Sequence, residues 1–126
     1  MFDHVEFQVS DIAAARRFYT TLLLPVGVTE IFFDPDAGAL GMGAEDIVRF
    51  LLTQGAPTTP RMHLCFTAPD RAAVDQGHAA ALATGGRDNG APGFRPDYGS
   101  GYYAGFVLDP DGHNVELLRR VPANGG

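Results

Sequence analysis

The sequence carries one pattern twice. Shifting it by 59 residues lays His4 on His63, Phe7 on Phe66, Asp11 on Asp70, Ala13 on Ala72, Ala14 on Ala73 and Leu23 on Leu82, six identities in twenty positions. The shift also superposes a strand on a strand, a helix cap on a helix cap and a helix on a helix. In each copy an alternating stretch (Phe2 to Val9; His63 onward) leads to a capping side chain (Ser10-Asp11; Asp70) and then to a helical period. Apolar positions Ile12, Ala15, Phe18, Tyr19, Leu22 and Leu23 recur at three- and four-residue steps before Pro25 and Gly27 end the first helix. The second helix, Asp70 to Thr84, stops at Gly85-Gly86. Two copies at so long a period do not make a solenoid.

Strands complete each copy. In the first they are expected near Thr29 to Phe33, Ala39 to Met42 and Asp46 to Thr53, divided by Asp34-Pro35-Asp36 and Gly43-Ala44-Glu45. In the second they fall at Tyr102 to Leu108 and Asn114 to Arg119, joined by Asp109-Pro110-Asp111-Gly112, with a short one near Arg87 to Asn89. The reading is one α+β domain over residues 1–126: module one at about 1–53, a linker at 54–60 and module two at about 61–120, each βαβββ. Its 126 residues are fewer than the roughly 150 of a typical domain. Apolar residues at 45% supply a core, and the 16 Gly and 9 Pro favour many turns and short strands over a helical bundle.

Charge narrows the function. The net charge is −6, and basic residues cluster only as Arg16-Arg17 and Arg119-Arg120, so no groove for nucleic acid or patch for an anionic membrane is expected. No apolar run approaches the roughly 20 residues of a membrane span, and the first fifteen residues hold no Lys or Arg to begin a secretory signal. The single Cys65 cannot form an internal disulfide, and a cytoplasmic location is expected. Small molecules and protein partners remain.

Parity along the strands places the chemistry. Val5, Phe7 and Val9 form one face of the first strand, with His4, Glu6 and Gln8 on the other; Leu64, Phe66 and Ala68 oppose His63, Cys65 and Thr67; Val115 and Leu117 oppose Asn114 and Glu116. If the sheets curl toward each other, the polar faces line one concavity and bring two imidazoles to one carboxylate. Two histidines and one carboxylate can hold a divalent metal with positions left open for substrate or oxygen; Zn, Mn, Ni and Fe(II) all suit such donors. A three-residue hairpin loop with a bulge sets Asp109 against His113, pairs Glu116 with Phe106 and puts Tyr102 and Ala104 on the face of Glu116; without the bulge, Tyr103 and Gly105 replace them.

At these residues the sequence resembles the vicinal oxygen chelate superfamily of glyoxalase, bleomycin-resistance and dioxygenase proteins. The matching stretches are Asp3-His4-Val5 through Val9-Ser10-Asp11 with Phe18-Tyr19, His63-Leu64-Cys65-Phe66, and Tyr102-Tyr103 through Asp109-Pro110-Asp111-Gly112-His113-Asn114-Val115-Glu116, over nearly the whole chain. The resemblance implies paired βαβββ modules in a U-shaped mixed sheet around a cavity. It also implies a metal held by His4, His63 and Glu116, and a homodimer whose sites some members build from both subunits. A fourth ligand found in glyoxalase I has no counterpart, because the matching strand is expected to put Arg49 or Phe50 there.

The remaining expectations concern substrate and mechanism. Tyr102 could donate a hydrogen bond near the metal and Glu6 act as a base, while Arg49, Arg95, Tyr98 and Phe106 are candidates to bind substrate. The stretch Gly90 to Gly101 is either a cover for a site mouth or a plain surface loop. His78 is expected in the core, His113 in solvent, and Cys65 as a small filler on the cavity face. The leading reading is a metal-dependent enzyme, whether lyase, isomerase, transferase or oxygenase, on a small molecule with adjacent oxygens. The alternative is a metal-free protein that sequesters a small molecule, as bleomycin-resistance proteins do.

Overall fold

Alternation along the first strand and the Asp11 cap produce the first two elements. In the computed structural model, which describes residues 1–123, β1 runs Val5–Val9 and α1 runs Ile12–Leu23. Asp11 Oδ1 accepts from the Ala13 and Ala14 amides at 3.0 and 3.1 Å, satisfying helix donors that would otherwise lack partners. A 3-10 turn, Leu24–Val26, ends at Gly27, whose left-handed φ of 83° lets the chain turn back. Then come β2 (Thr29–Asp34), β3 (Ala39–Ala44) and β4 (Ile47–Gln54). β3 runs through the expected turn at Gly43-Ala44, and the reversal moves to Glu45-Asp46. Both have positive φ (55° and 61°), the backbone sign a mirror-image hairpin turn needs.

The second copy repeats the plan with β5 (His63–Thr67), α2 (Arg71–Ala83), β6 (Arg87–Asp88), β7 (Gly93–Phe94), β8 (Tyr102–Leu108) and β9 (Asn114–Arg120). Asp70 caps α2 by accepting from the Ala73 amide at 2.8 Å. The sheet orders match: β1-β4-β3-β2 in one, β5-β9-β8-β6 in the other, with β7 added on β8. Each has its parallel pair, β1 with β4 and β5 with β9, so the internal duplication is a duplication of topology. Among the described residues β1 and β5 are both end strands and do not pair with each other.

One core joins the modules. The six apolar positions read from the α1 period are all buried, and Phe50 of β4 contacts Phe7 and Tyr19 of its own module and Phe66 of the other, at ring separations of 5.5, 5.1 and 5.4 Å. The apolar faces of both sheets therefore meet in one interior, and their polar faces look away from it. The helices approach closely at Gly77, where a Cβ would lie 2.7 Å from the Leu22 carbonyl oxygen and 2.4 Å from Leu117 Cδ1, so no larger residue fits without moving backbone.

The hairpin turn between β8 and β9 is the second joint. Positions pair as the bulged turn requires, Glu116 with Phe106 and Leu108 with Asn114, and Gly112 takes φ 88°. The turn is not a solvated surface feature, however. Ser10 donates from its amide and hydroxyl to the Asp111 carboxylate (2.9 and 2.6 Å), and Tyr19 donates to Asp109 Oδ2 (2.6 Å). His113, expected in solvent, is fully buried: its Nδ1 accepts from the Met62 amide at 2.9 Å and its ring meets Phe7 edge-on. Docking the turn against module one closed water off from it.

Candidate active site

Strand register assembles three groups around one carboxylate. Glu116 stands opposite Phe106 on β8 and opposite Cys65 on β5. Tyr102, four residues before Phe106 and therefore on the same face, donates its hydroxyl to Glu116 Oε2 at 2.5 Å. His63 places Nε2 3.1 Å from Glu116 Oε1. Glu116 is only 3% exposed, and no Lys or Arg pairs with it among the described residues. A buried carboxylate without a cation is costly unless well solvated by donors or balanced by a positive charge.

The other nitrogen of His63 sharpens the point. Nδ1 lies 3.1 Å from the carbonyl oxygen of Asn114, a contact that the tautomer with its proton on Nδ1 satisfies. Nε2 then turns a lone pair toward a carboxylate oxygen. Two acceptors facing each other at 3.1 Å call for a proton or a cation between them.

The buried carboxylate also governs its neighbours. The Tyr102 hydroxyl is pushed up to about 12, first because it donates to Glu116 and then by desolvation. The Cys65 thiol is also pushed up to about 12, by desolvation first and by the charge of Glu116 second. The residue as a whole is exposed, so Cys65 is not the buried filler expected; its thiol is nonetheless flanked closely enough to be desolvated, and it is a poor nucleophile.

His4 stands on β1's polar side, 56% exposed, with Nδ1 2.8 Å from Asp3 Oδ1. Arg49 donates through Nη1 to the Asp3 carbonyl (3.1 Å) and to Asp3 Oδ2 (3.2 Å). The Asp3 carboxyl is held below its usual range, chiefly by the His4 hydrogen bond, with the charge of Arg49 adding to it. Asp3 thus engages His4 through Nδ1 and leaves Nε2 without a hydrogen bond among the described residues, a role the sequence reading missed although Asp3 adjoins His4. Glu6 is exposed on the same strand face. Among the described residues no three His, Cys, Asp or Glu side chains lie close enough to share a metal, so one chain does not bring His4 to His63 and Glu116.

The fourth-ligand position also differs from expectation. Leu51 pairs with Glu6 as Glu116 pairs with Cys65, so by the 59-residue repeat Leu51, and neither Arg49 nor Phe50, is the counterpart of Glu116. Phe50 points into the core and Arg49 toward Asp3. Leu51 cannot ligate either.

Three of the expected substrate-binding residues do converge. Arg95, Tyr98 and Phe106, with Asn89, Gly90 and Asn114, line a pocket of about 300 Å3. It adjoins the carboxylate cluster: the Tyr98 and Tyr102 rings are 5.4 Å apart, and Phe106 and His63 stack at 6.3 Å. The stretch Gly90 to Gly101 is anchored. β7 pairs with β8, the Arg95 amide donates to the Tyr102 carbonyl (2.8 Å) and the Phe106 amide to the Gly90 carbonyl (2.8 Å). His78 is a core residue as expected, hydrogen-bonded through Nε2 with Asp88 and the Phe106 carbonyl, although its helix neighbour Leu82 is exposed. A larger groove of about 680 Å3 along α1 includes Arg16, Arg17 and Phe33 but none of these groups, and Arg16 is already paired with Glu30.

The model of the Glyoxalase/Bleomycin resistance protein/Dioxygenase superfamily matches residues 1–117. Among solved structures, the chain is similar to a glyoxalase/bleomycin resistance protein from Albidiferax ferrireducens T118, at 28% identity and TM-score 0.79, covering 95% of this chain and 99% of that one. It shares its fold with a lactoylglutathione lyase from Agrobacterium tumefaciens (20% identity, TM-score 0.67, 94% and 92% covered). TioX from Micromonospora sp. ML1 has the fold as well (15%, TM-score 0.67, 96% and 99%). None of the curated proteins matches the chain.

Proposed function

Because the chain belongs to the Glyoxalase/Bleomycin resistance protein/Dioxygenase superfamily, we propose that it is a metal-dependent enzyme acting on a small molecule with adjacent oxygen atoms. Its divalent cation would be held by His63 and Glu116 of one chain and by His4 of a second copy.

The observation that carries this reading is the pairing of His63 Nε2 with Glu116 Oε1. Two donors bound to one metal at about 2.0–2.2 Å, and separated by 90–110° at the ion, stand roughly 3 Å apart. The observed 3.1 Å fits, and the Asn114 carbonyl on Nδ1 is the outer partner that orients a ligating imidazole. A cation there would also balance the buried charge of Glu116. His4 has the matching outer partner in Asp3. β1 and β5 are both end strands, with the outward amide and carbonyl of Gln8 on β1 already taken by Thr58, and a second copy docked along the rest of these strands is the arrangement that would bring His4 to the pair.

When bound, such a cation supplies Lewis-acid stabilisation of an enolate, alkoxide or similar oxyanion. The chain's own contribution is to hold the Tyr102 proton on its oxygen, aimed at Glu116, and to shield the carboxylate from water. Glu6, beside His4, is the candidate base. Whether substrate is split, isomerised, transferred or oxygenated depends on groups outside this constellation.

Elemental analysis after loading with Zn, Mn, Ni or Fe(II) tests the reading. Native protein should bind one ion per chain, and His4→Ala, His63→Ala and Glu116→Ala should each abolish stoichiometric binding. Native protein free of metal under every loading condition would favour a metal-free sequestering protein instead.

A further inference from the structure

Arg95 is a cation without an anion. Its Nη2 donates to the carbonyls of Ala91 (2.5 Å) and Ala104 (3.4 Å), its Nε is buried with no partner, and no carboxylate pairs with it among the described residues. The guanidinium lies 5.4 Å over the Phe106 ring. Gly90 makes room for this: it has φ 144°, and a Cβ there would meet Phe106 Cδ1 at 3.1 Å and Arg95 Nη2 at 3.2 Å. Backbone carbonyls hold Nη2 in place, while Nη1 makes no hydrogen bond among the described residues and keeps its two donors for a ligand.

The rest of the pocket is neutral. Asn89 Nδ2 donates to Asn114 Oδ1 at 3.3 Å, leaving the Asn89 oxygen and the Asn114 amide protons free, and Phe106 and Tyr98 supply flat apolar walls. In a chain of net charge −6, an unpaired guanidinium fixed inside a concavity is a specific feature rather than part of a general basic surface.

We infer that this pocket takes the carboxylate of a small, flat organic acid, with Arg95 as the anion anchor and the acid's body against Phe106 and Tyr98. This deepens the enzyme reading and rests on it for the statement that the ligand is the substrate. One guanidinium balances one negative charge. A phosphate monoester brings about −1.5 to −2 and would want a second cation, which the pocket wall lacks. At about 300 Å3 the pocket is at the small end for small-molecule sites, suited to one ring and its carboxylate.

The test uses chelator-treated, isotopically labelled full-length protein, so that no metal competes for the acid, and follows amide shifts on adding benzoate, benzamide or phenylphosphonate. Benzoate should shift Asn89, Gly90 and Phe106, and bind at least tenfold more tightly than either of the others. Arg95→Gln should weaken benzoate at least tenfold without changing benzamide, and Arg95→Lys should fall between. If Arg95→Gln loses the native spectrum, Arg95→Lys, which keeps the charge but not the planar fork, should still weaken benzoate while leaving benzamide unchanged. Equal binding of acid and amide, tighter binding of the phosphonate, or no benzoate binding at all would overturn the inference. Metal uptake by the same proteins, measured after the chelator is removed and Zn, Mn, Ni or Fe(II) is supplied, separates the two readings. Arg95-dependent benzoate binding in a protein that never takes up metal keeps the subsite and sinks the metalloenzyme; metal uptake without Arg95-dependent binding sinks the subsite alone.

Discussion

His63 Nε2 faces Glu116 Oε1 at 3.1 Å while the opposite nitrogen of the same ring faces the Asn114 carbonyl at 3.1 Å. One imidazole between two acceptors cannot satisfy both when neutral, so the arrangement stores demand for a positive charge beside a buried carboxylate. Glu116→Gln removes that demand by replacing the anion with an amide that can donate to Nε2. Metal affinity should fall by more than the roughly 10–100-fold that loss of an outer partner costs, because a ligand itself is removed. The chelator-treated variant should melt no lower than the chelator-treated native protein, as paired metal titrations and thermal unfolding will show.

If His4 reaches the pair from a second copy, inactive variants should repair one another. His4→Ala and His63→Ala chains, each without stoichiometric metal alone, should regain about a quarter of a native complement when mixed equally, unfolded and refolded together, since half of the dimers are mixed and each of those holds one intact set of two. Metal analysis of the mixture is the readout; a mixture as empty as its components would show that the three ligands do not come from two chains.

Tyr102 holds Glu116 from the side opposite His63. Tyr102→Phe leaves Oε2 without its donor in a buried setting, and outer hydrogen-bond partners of metal ligands typically contribute about 10–100-fold in affinity or activity. Competition against a chromogenic chelator should show a loss in that range, with the fold retained. An unchanged affinity would make Tyr102 a wall residue only.

Tyr19 ties α1 to the β8–β9 turn through Asp109. Its hydroxyl is raised well above 10.0, by burial first and by the charge of Asp109 second. A group whose folded value is raised contributes stability that is complete below its unfolded value and is lost as pH rises through the folded one. Tyr19→Phe should therefore cost about 1–3 kcal/mol at neutral pH, and the gap to native protein should narrow above roughly pH 10. Denaturant unfolding of both proteins across that range gives the difference directly.

Much of this was legible in the residues because it rests on local rules. The buried stripe of α1 follows from its period, both Asp caps from side-chain chemistry, and the Phe106–Glu116 pairing from the geometry of one turn with Pro and Gly at fixed places. Tyr102 reaches Glu116 for the same reason. What escaped depends on how distant pieces dock. His113 looked like a turn residue until the turn closed on Phe7 and Ser10; Leu51 rather than Arg49 or Phe50 follows only from the actual β1–β4 register. Parity shows that His4 is on a polar face, but not whether that face meets the other polar face within one chain.

A crystal grown with zinc and measured at the metal's absorption edge tests the central claim most directly. The account predicts one anomalous peak per chain, within bonding distance of His63 Nε2 and a Glu116 carboxylate oxygen, with the imidazole of a second copy's His4 completing the set. A map with no peak at that pair, or with zinc bound to other side chains while His63 and Glu116 keep their 3.1 Å contact, would contradict it.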